Sequence, residues 1–498
     1  MKGKLKIFYV SSEVSPFTQT GGLADVSGAL SKILKNMGHD IRLMMPNYKF
    51  INERKYILRD VIRLQGLEIK IGDQLKVASA KSAFIPDSKV QIYFLDNKFF
   101  FERDGLYCDR KTGQAFADNA ERFTFFSIGC LETLKLLHWQ PDIIHCNDWQ
   151  TAIIPVLLKS KYKDDAFFKN TRTLLSIQNF DEQGSVDYAN IENTGILDLI
   201  YPSSANYTQN SHFNFLQAGL ENADLINTAF DVVPNDVGKR SEKNDNVAAI
   251  LTARKKDVFS ISNGVDENIW DPEKDKLIPF NYNKRDISNK HNNKKELLQL
   301  FGLEYNPKIP VICTHANFTD SESVELFNTI SEELAKMEVQ LLALSDSEQS
   351  YHKKIMALQK KRPKKIVFKT NLDFNLVHSV VAGSDLFLSL SQNESGYINQ
   401  FNSLVYGTIP VVSIKAANAG SIENFDPQNK SGNGFVYTKF NAKTIISQIK
   451  NAVKNYQNQE LWSIIVQNAM KAKFSWQTSA HKYVKLYQKL MSLKSTRN

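Results

Sequence analysis

The sequence predicts an α/β protein made of two doubly wound, Rossmann-like parallel sheets, one after the other along the chain. Three observations carry that prediction. Short β-branched or aromatic runs alternate with amphipathic helical segments, the pattern of strands covered by helices. The alternation occurs twice, restarting at Pro310 after a polar stretch. The chain has 498 residues, 42% hydrophobic and 23% charged, which is too long for one ordinary domain and apolar enough for large cores.

The first unit is the clearest. Residues 5–10 read as a strand, followed by a loop carrying Gly21-Gly22. A helix then places Val26, Leu30, Ile33, Leu34 and Met37 on one face. Gly38 stops it, and residues 41–45 form the next strand, closed by Pro46. Further strands are expected at 91–95, 142–146, 174–177, 225–228 and 258–261. The second series comprises 311–314, 339–344, 366–369, 386–390, 410–414 and 435–437. The Asn/Lys-rich stretch 281–293 between the series reads as a linker, so a boundary is expected near 275–305. The division is then 1–280, 281–475 and an amphipathic tail, 476–498, around Tyr483, Leu486 and Tyr487. Open α/β sheets bind ligands at the carboxyl ends of their strands, so a cleft is expected where those ends of both sheets meet.

Composition excludes several classes. The net charge of +9 is spread along the chain, with clumps at Lys294-Lys295, Lys360-Lys361 and Lys364-Lys365, and no nucleic-acid module accompanies it. The reading is a solvated basic surface with weak attraction for phosphates and no nucleic-acid partner. No apolar run reaches the ~18–20 residues of a membrane span. Lys2 and Lys4 precede an apolar stretch too short for a signal peptide, so a cytoplasmic protein is expected. The four cysteines make neither a disulfide framework nor a metal-ligand cluster, and no metal is expected.

Several ordered segments resemble one family. Val10-Ser11-Ser12-Glu13-Val14-Ser15-Pro16-Phe17 leads to Thr20-Gly21-Gly22-Leu23-Ala24-Asp25-Val26. Gly105-Leu106-Tyr107, Asp118-Asn119 with Arg122-Phe123, Pro141-Asp142-Ile143-Ile144-His145 with Asp148-Trp149, and Asn263-Gly264-Val265-Asp266 with Trp270 follow in order. Glu394, Tyr406-Gly407-Thr408, Gly434-Phe435 and Phe474-Ser475-Trp476 complete the set. From about residue 4 to about residue 487 the chain resembles the glycogen and starch synthases. The resemblance implies a GT-B fold and a metal-independent, retaining glucosyl transfer from ADP-glucose to α-1,4-glucan. It implies an acceptor-side first domain, a nucleotide-side second domain, and a C-terminal helix returning to the first. ADP-glucose is then a substrate, and no cofactor is expected.

Breaking a glucosyl–diphosphate bond leaves charge on the departing phosphate, so the site needs cations and N–H donors there. Gly21-Gly22, after a strand and opening a helix, suits that role, and equally suits a tight turn. Glu394 matches the family's carboxylate that holds the glucosyl hydroxyls, and also suits a helix's first turn. Asp148-Trp149 serves either as site residues or as a helix cap with a core tryptophan. Lys415, in the loop where the family binds phosphate, is either a donor-site cation or a solvated lysine.

Among the departures from the family, four fall on basic side chains. Gln19 stands for a lysine, Gln178 for a histidine, Asn317 for an arginine and Glu322 for a lysine. Losing one preorganised donor typically costs roughly 10²–10³ in rate. Two readings therefore stand side by side: a glycogen or starch synthase, or a weakened or inactive relative that binds glucan or regulates a partner. A third is a GT-B enzyme with a different donor or acceptor.

Overall fold

A computed structural model describes residues 3–20, 22–109, 112, 114–180, 182–191, 197, 212–229, 245–266, 269–316, 321–345, 349–370, 374–390, 400–414, 416–417, 422–472 and 474–493. Contacts divide the chain into two units: Met1–Asn263 with Ser479–Asn498, and Gly264–Thr478.

The first unit's strands are β1 (Lys6–Val10), β2 (Asp40–Pro46), β3 (Arg59–Asp60), β4 (Leu67–Ile71), β5 (Gln74–Phe84) and β6 (Gln91–Asp96). Then come β7 (Ile143–Asn147), β8 (Arg172–Ile177), β9 (Ser185–Asp187), β10 (His212–Asn214), β11 (Leu225–Thr228) and β12 (Val258–Ser260). Among the described residues its main sheet runs β12-β11-β8-β7-β1-β2-β6-β5-β3, with β4 paired to β5. The β12-to-β6 portion is parallel, and β3, β4 and β5 add antiparallel strands that the sequence reading did not separate. β8 is buried at every position, as a strand covered on both faces must be. The order reverses between β1 and β7, which is the switch point at which such sheets take ligands.

Helix α1 (Gly22–Asn36) buries Leu23, Ala24, Val26, Leu30 and Leu34 on one face. A Cβ at its Gly28 would lie 2.7 Å from the Ser15 carbonyl oxygen, so only glycine lets the loop pack this closely. The turn after it uses Gly38 at φ 94°. The C-terminal helix Trp476–Ser492 belongs to this unit from Ser479 onward and buries Ala480, Tyr483, Leu486, Tyr487 and Leu490. Beneath it, buried His145 on β7 bonds through Nδ1 to the Tyr487 hydroxyl (2.8 Å) and through Nε2 to Ser176 Oγ (2.7 Å). Burial drives its pKa down to about 3, so it is the neutral ring that takes part.

The second unit carries a parallel sheet, β15-β14-β13-β16-β17-β18, from β13 (Val311–His315), β14 (Gln340–Leu344), β15 (Ile366–Lys369), β16 (Leu386–Leu388), β17 (Ile409–Ser413) and β18 (Phe435–Tyr437). Its order reverses between β13 and β16. The expected strands of both series are present, with ends shifted by a residue or two.

The linker reading is corrected. The division falls between Asn263 and Gly264, upstream of 275–305, and residues 281–293 lie inside the second unit. Tyr282 is buried and donates to the Tyr406 carbonyl at 2.8 Å. Helix Ser288–Leu300 buries Lys290, Asn293 and Lys294. Lys290 Nζ donates to the Ala382 and Tyr406 carbonyls and to Thr408 Oγ1. Lys294 Nζ reaches the Ile309 carbonyl, Tyr456 Oη and Asp385 (2.7 Å). Composition misled because polar side chains can be buried once each finds partners. Those partners lie up to 162 residues away.

Candidate functional site

The switch point of the first sheet gathers the carboxyl ends of β1, β7 and β8, and the loops leaving them hold the polar cluster of this unit. After β1, Glu13 is buried, and its carboxylate accepts from the Thr20 hydroxyl (2.6 Å), the Thr20 N–H and the Tyr107 hydroxyl (2.6 Å). Tyr107 Oη also lies 2.7 Å from Ser12 Oγ. Ser27 of α1 donates to Ser11 Oγ at 3.0 Å, and Ser15 N–H donates to the Ala24 carbonyl. The loop is thereby tied to α1 on both sides of its turn.

After β7, Asn147 accepts from the Tyr9 hydroxyl at 3.0 Å and donates to the Val10 carbonyl at 2.9 Å, locking β7 to β1. Asp148 then takes φ 54° and ψ −175°, close to a region that glycine alone populates freely. Its buried Oδ1 accepts from Gln178 N–H at 2.7 Å and from Asn179 N–H at 3.4 Å, which joins the ends of β7 and β8. Burial pushes this carboxyl up to about 7, against the opposing pull of those two N–H groups, with nearby Glu182 and Glu13 adding repulsion. An acid tuned near neutrality at a switch point has the character of a functional group. Asp148 makes no side-chain capping bond to the short helix Trp149–Thr151, so the capping reading is set aside. Trp149 does pack as a core residue, edge-on to Phe123 (5.0 Å) and Phe215 (6.1 Å). Gly184, at φ 63°, makes room for it, since a Cβ there would sit 2.3 Å from the indole.

Gln178, the residue in place of a histidine, accepts at Oε1 from Asn263 Nδ2 at 2.9 Å. The outer atoms of this amide pair, Gln178 Nε2 and Asn263 Oδ1, are buried with no partner among the described residues. Together they offer one donor and one acceptor, the complement of a sugar hydroxyl. Gln19, in place of a lysine, turns to the first turn of α1 and donates to Asp25 at 2.8 Å. Gly22 is the first residue of α1, and Gly21 lies outside the described residues. The structure thus brings Gln178 and Asn263 together beside Asp148, while Gln19 points to Asp25.

In the second unit, Glu322 is exposed in the first turn of helix Ser321–Leu334, which follows β13. Asn317, Glu394 and Lys415 lie outside the described residues; in sequence they come after β13, β16 and β17. The scaffold of this unit is a buried cluster in which Asp275 accepts from His378 (2.7 Å) and Tyr406 (2.6 Å), with Trp270 stacked on His378 at 4.0 Å.

Glu13, Tyr107 and Asn263 lie within segments that resemble the family, but nothing in those segments by themselves assigns them a role. A carboxylate eight positions before Gly21-Gly22 was the available signal for Glu13; its partnership with a tyrosine 94 residues away was not readable.

The family profile of the starch synthase catalytic domain matches residues 6–237. The glycogen synthase of Pelodictyon phaeoclathratiforme is 32% identical over 487 residues, covering 98% of each chain. That of Chlorobium limicola is 33% identical over 490 residues, again covering 98% of each. Among solved structures, the catalytic domain of Arabidopsis thaliana starch synthase IV, bound to ADP and acarbose, superposes with a TM-score of 0.85 at 22% identity. It is covered completely by 99% of this chain. Sucrose-phosphate synthase of Thermosynechococcus elongatus shares the fold more distantly, at a TM-score of 0.57 and 12% identity over 98% of this chain and 100% of that one. With its two Rossmann-like sheets and its full-length relationship to the glycogen synthases, the chain belongs to the glycogen/starch synthase family and has the GT-B fold.

Proposed function

We propose that this chain is a cytoplasmic synthase that moves glucosyl units from ADP-glucose to the non-reducing end of α-1,4-glucan, retaining configuration and needing no resident cofactor. The observation that carries this reading is the cluster at the β1/β7 switch point. Gly22 opens α1, the Asp148 carboxyl is pushed up to about 7, and the Gln178–Asn263 amide pair has one donor and one acceptor with no partner among the described residues. Sugar recognition needs such hydroxyl partners, and a departing diphosphate needs N–H donors of the kind a helix N-terminus presents. Glu394 would hold the glucosyl hydroxyls and Lys415 would add a cation at the phosphates.

No observation favours an inactive relative. Gln19 and Gln178 are each built into hydrogen bonds, and Gln178 keeps polar capacity for a substrate. No helix among the described residues is long and apolar enough to cross a membrane.

The test is ADP release from ADP-glucose in the presence of glycogen, with Glu394→Ala as control. Turnover in wild type with loss of about 100-fold or more in the control is the expected result. A wild type that retains glycogen but releases no ADP sinks the proposal.

A further inference from the structure

We propose that Glu13 is a positioning residue for this reaction: its buried carboxylate fixes the turn entering α1 and the Tyr107 hydroxyl in one arrangement. The inference rests on the functional reading above, because it concerns what that turn must hold.

Glu13 is 3% exposed, yet the groups its carboxylate holds are polar and local to the site: Thr20 N–H, Thr20 Oγ1 at 2.6 Å and Tyr107 Oη at 2.6 Å. O–H to carboxylate bonds this short are those of an ionised acceptor. Burying an ionised acid is costly unless hydrogen bonds compensate it, and these bonds do so. Here they accomplish two things. Thr20 is the last described residue before the chain enters α1 at Gly22, so fixing both its amide and its hydroxyl fixes where the helix's first N–H groups stand. Tyr107 arrives from a separate segment 94 residues away, and the same carboxylate sets its hydroxyl. The rest of the loop is clamped already. Val14 bridges Thr18, the Val14 carbonyl accepts from Phe17 N–H and Thr18 N–H, and Ser27 holds Ser11. Glu13 adds bonds that reach from the start of the loop to Thr20.

Charge argues that the role is geometric. A carboxylate near bound phosphates repels them, so electrostatics alone would favour its removal. A neutral amide of the same shape keeps one acceptor oxygen and sheds the repulsion, whereas a methyl group keeps neither bonds nor shape. Glutamine should therefore rescue much of what alanine loses.

The experiment uses the full chain and the variants Glu13→Ala, Glu13→Gln, Thr20→Val, Tyr107→Phe and Glu13→Ala/Thr20→Val. Melting temperature, kcat and KM for ADP-glucose, ADP affinity and hydrogen exchange over residues 14–23 are measured for each. Glu13→Ala is expected to lower kcat/KM by about 100-fold, with KM for ADP-glucose raised, and Glu13→Gln to stay within about 10-fold of wild type. Thr20→Val should cost about 10-fold in wild type and nothing further in the Glu13→Ala background, because the partner is already gone. Exchange over 14–23 should accelerate in Glu13→Ala. Kinetics within threefold of wild type in Glu13→Ala, independent multiplying losses in the double variant, or glutamine no better than alanine would each overturn the proposal. If Glu13→Ala does not fold, Glu13→Gln and Thr20→Val carry the same comparison. A wild type that binds ADP without turnover overturns the transfer reading alone. Glu13 is then judged on ADP affinity, expected about 10-fold weaker without the carboxylate. A wild type that binds no ADP overturns both.

Discussion

At Asp148 the backbone sits at φ 54° and ψ −175°, a conformation costing a non-glycine residue about 1–3 kcal/mol. The strain persists because β7 and β8 are locked on either side, and because Oδ1 ties itself to the Gln178 and Asn179 amides. Its carboxyl, raised to about 7, binds more protons folded than unfolded between roughly pH 4 and pH 7. Stability therefore falls as pH rises through that window, and the group contributes no such loss below it. Asp148→Asn should flatten this dependence and raise the melting temperature relative to wild type at pH 7.5 but not at pH 4.5. Asp148→Gly should relieve about 1 kcal/mol of backbone strain while lowering kcat/KM by about 100-fold, a separation of stability from function that melting curves and ADP release would expose together. The sequence placed Asp148 in a family-like segment, but it carries no sign of the conformation. Backbone strain of this kind is imposed by neighbouring strands, not by a residue's own preference. Gln178 shows the same limit, since its partner Asn263 is 85 residues away.

Helix Ser288–Leu300 shows how an element can read as one thing and act as another. Its Asn/Lys composition and weak apolar face gave a linker, yet it buries two lysines in the second unit. Lys294 is 1% exposed and bonded to Asp385, which is 7% exposed and also accepts from Val311 N–H at the start of β13. Removing the cation leaves a buried acid without its charge partner, so Lys294→Met should cost about 3–5 kcal/mol. Adding Asp385→Asn should recover part of that loss. Thermal unfolding of the single and double variants checks it; equal melting temperatures for Lys294→Met and wild type would show the pair to be idle. The sheets themselves were legible, because buried parallel strands need continuous β-branched and apolar runs and helices need a 3.6-residue period. The β3–β5 insertion was not: the alternating face of β4 and the long, half-exposed β5 give a weaker signal than a fully buried strand.

Over the whole molecule, the chain's last helix belongs to its first unit. Its own Tyr483 and Tyr487 face β7, β8 and β11, where Tyr483 accepts from Asn227 at 2.9 Å and Tyr487 meets His145. Arg172 adds a bond to the Leu493 carbonyl at 3.0 Å. Ending the chain at Thr478 would remove Tyr483 and Tyr487 and strand the polar network of His145, Ser176 and Asn227. The truncated protein should be cleaved by protease within its first unit under conditions where the full chain is stable. Resistance equal to that of the full chain would show the helix to be dispensable.

By itself the sequence determined the two-sheet α/β architecture, the order of the parallel strands' segments and membership of the synthase family. These rest on local periodicity and on ordered motifs, which are properties of short stretches of chain. Only the tertiary structure decided where the units divide, that residues 281–293 are packed rather than linking, and that Glu13, Thr20 and Tyr107 form one network beside Asp148, Gln178 and Asn263. The physical reason is the same in each case. The cost of burying a polar group depends on whether a partner meets it, and that partner is supplied by a distant segment that only the folded chain brings within bonding distance.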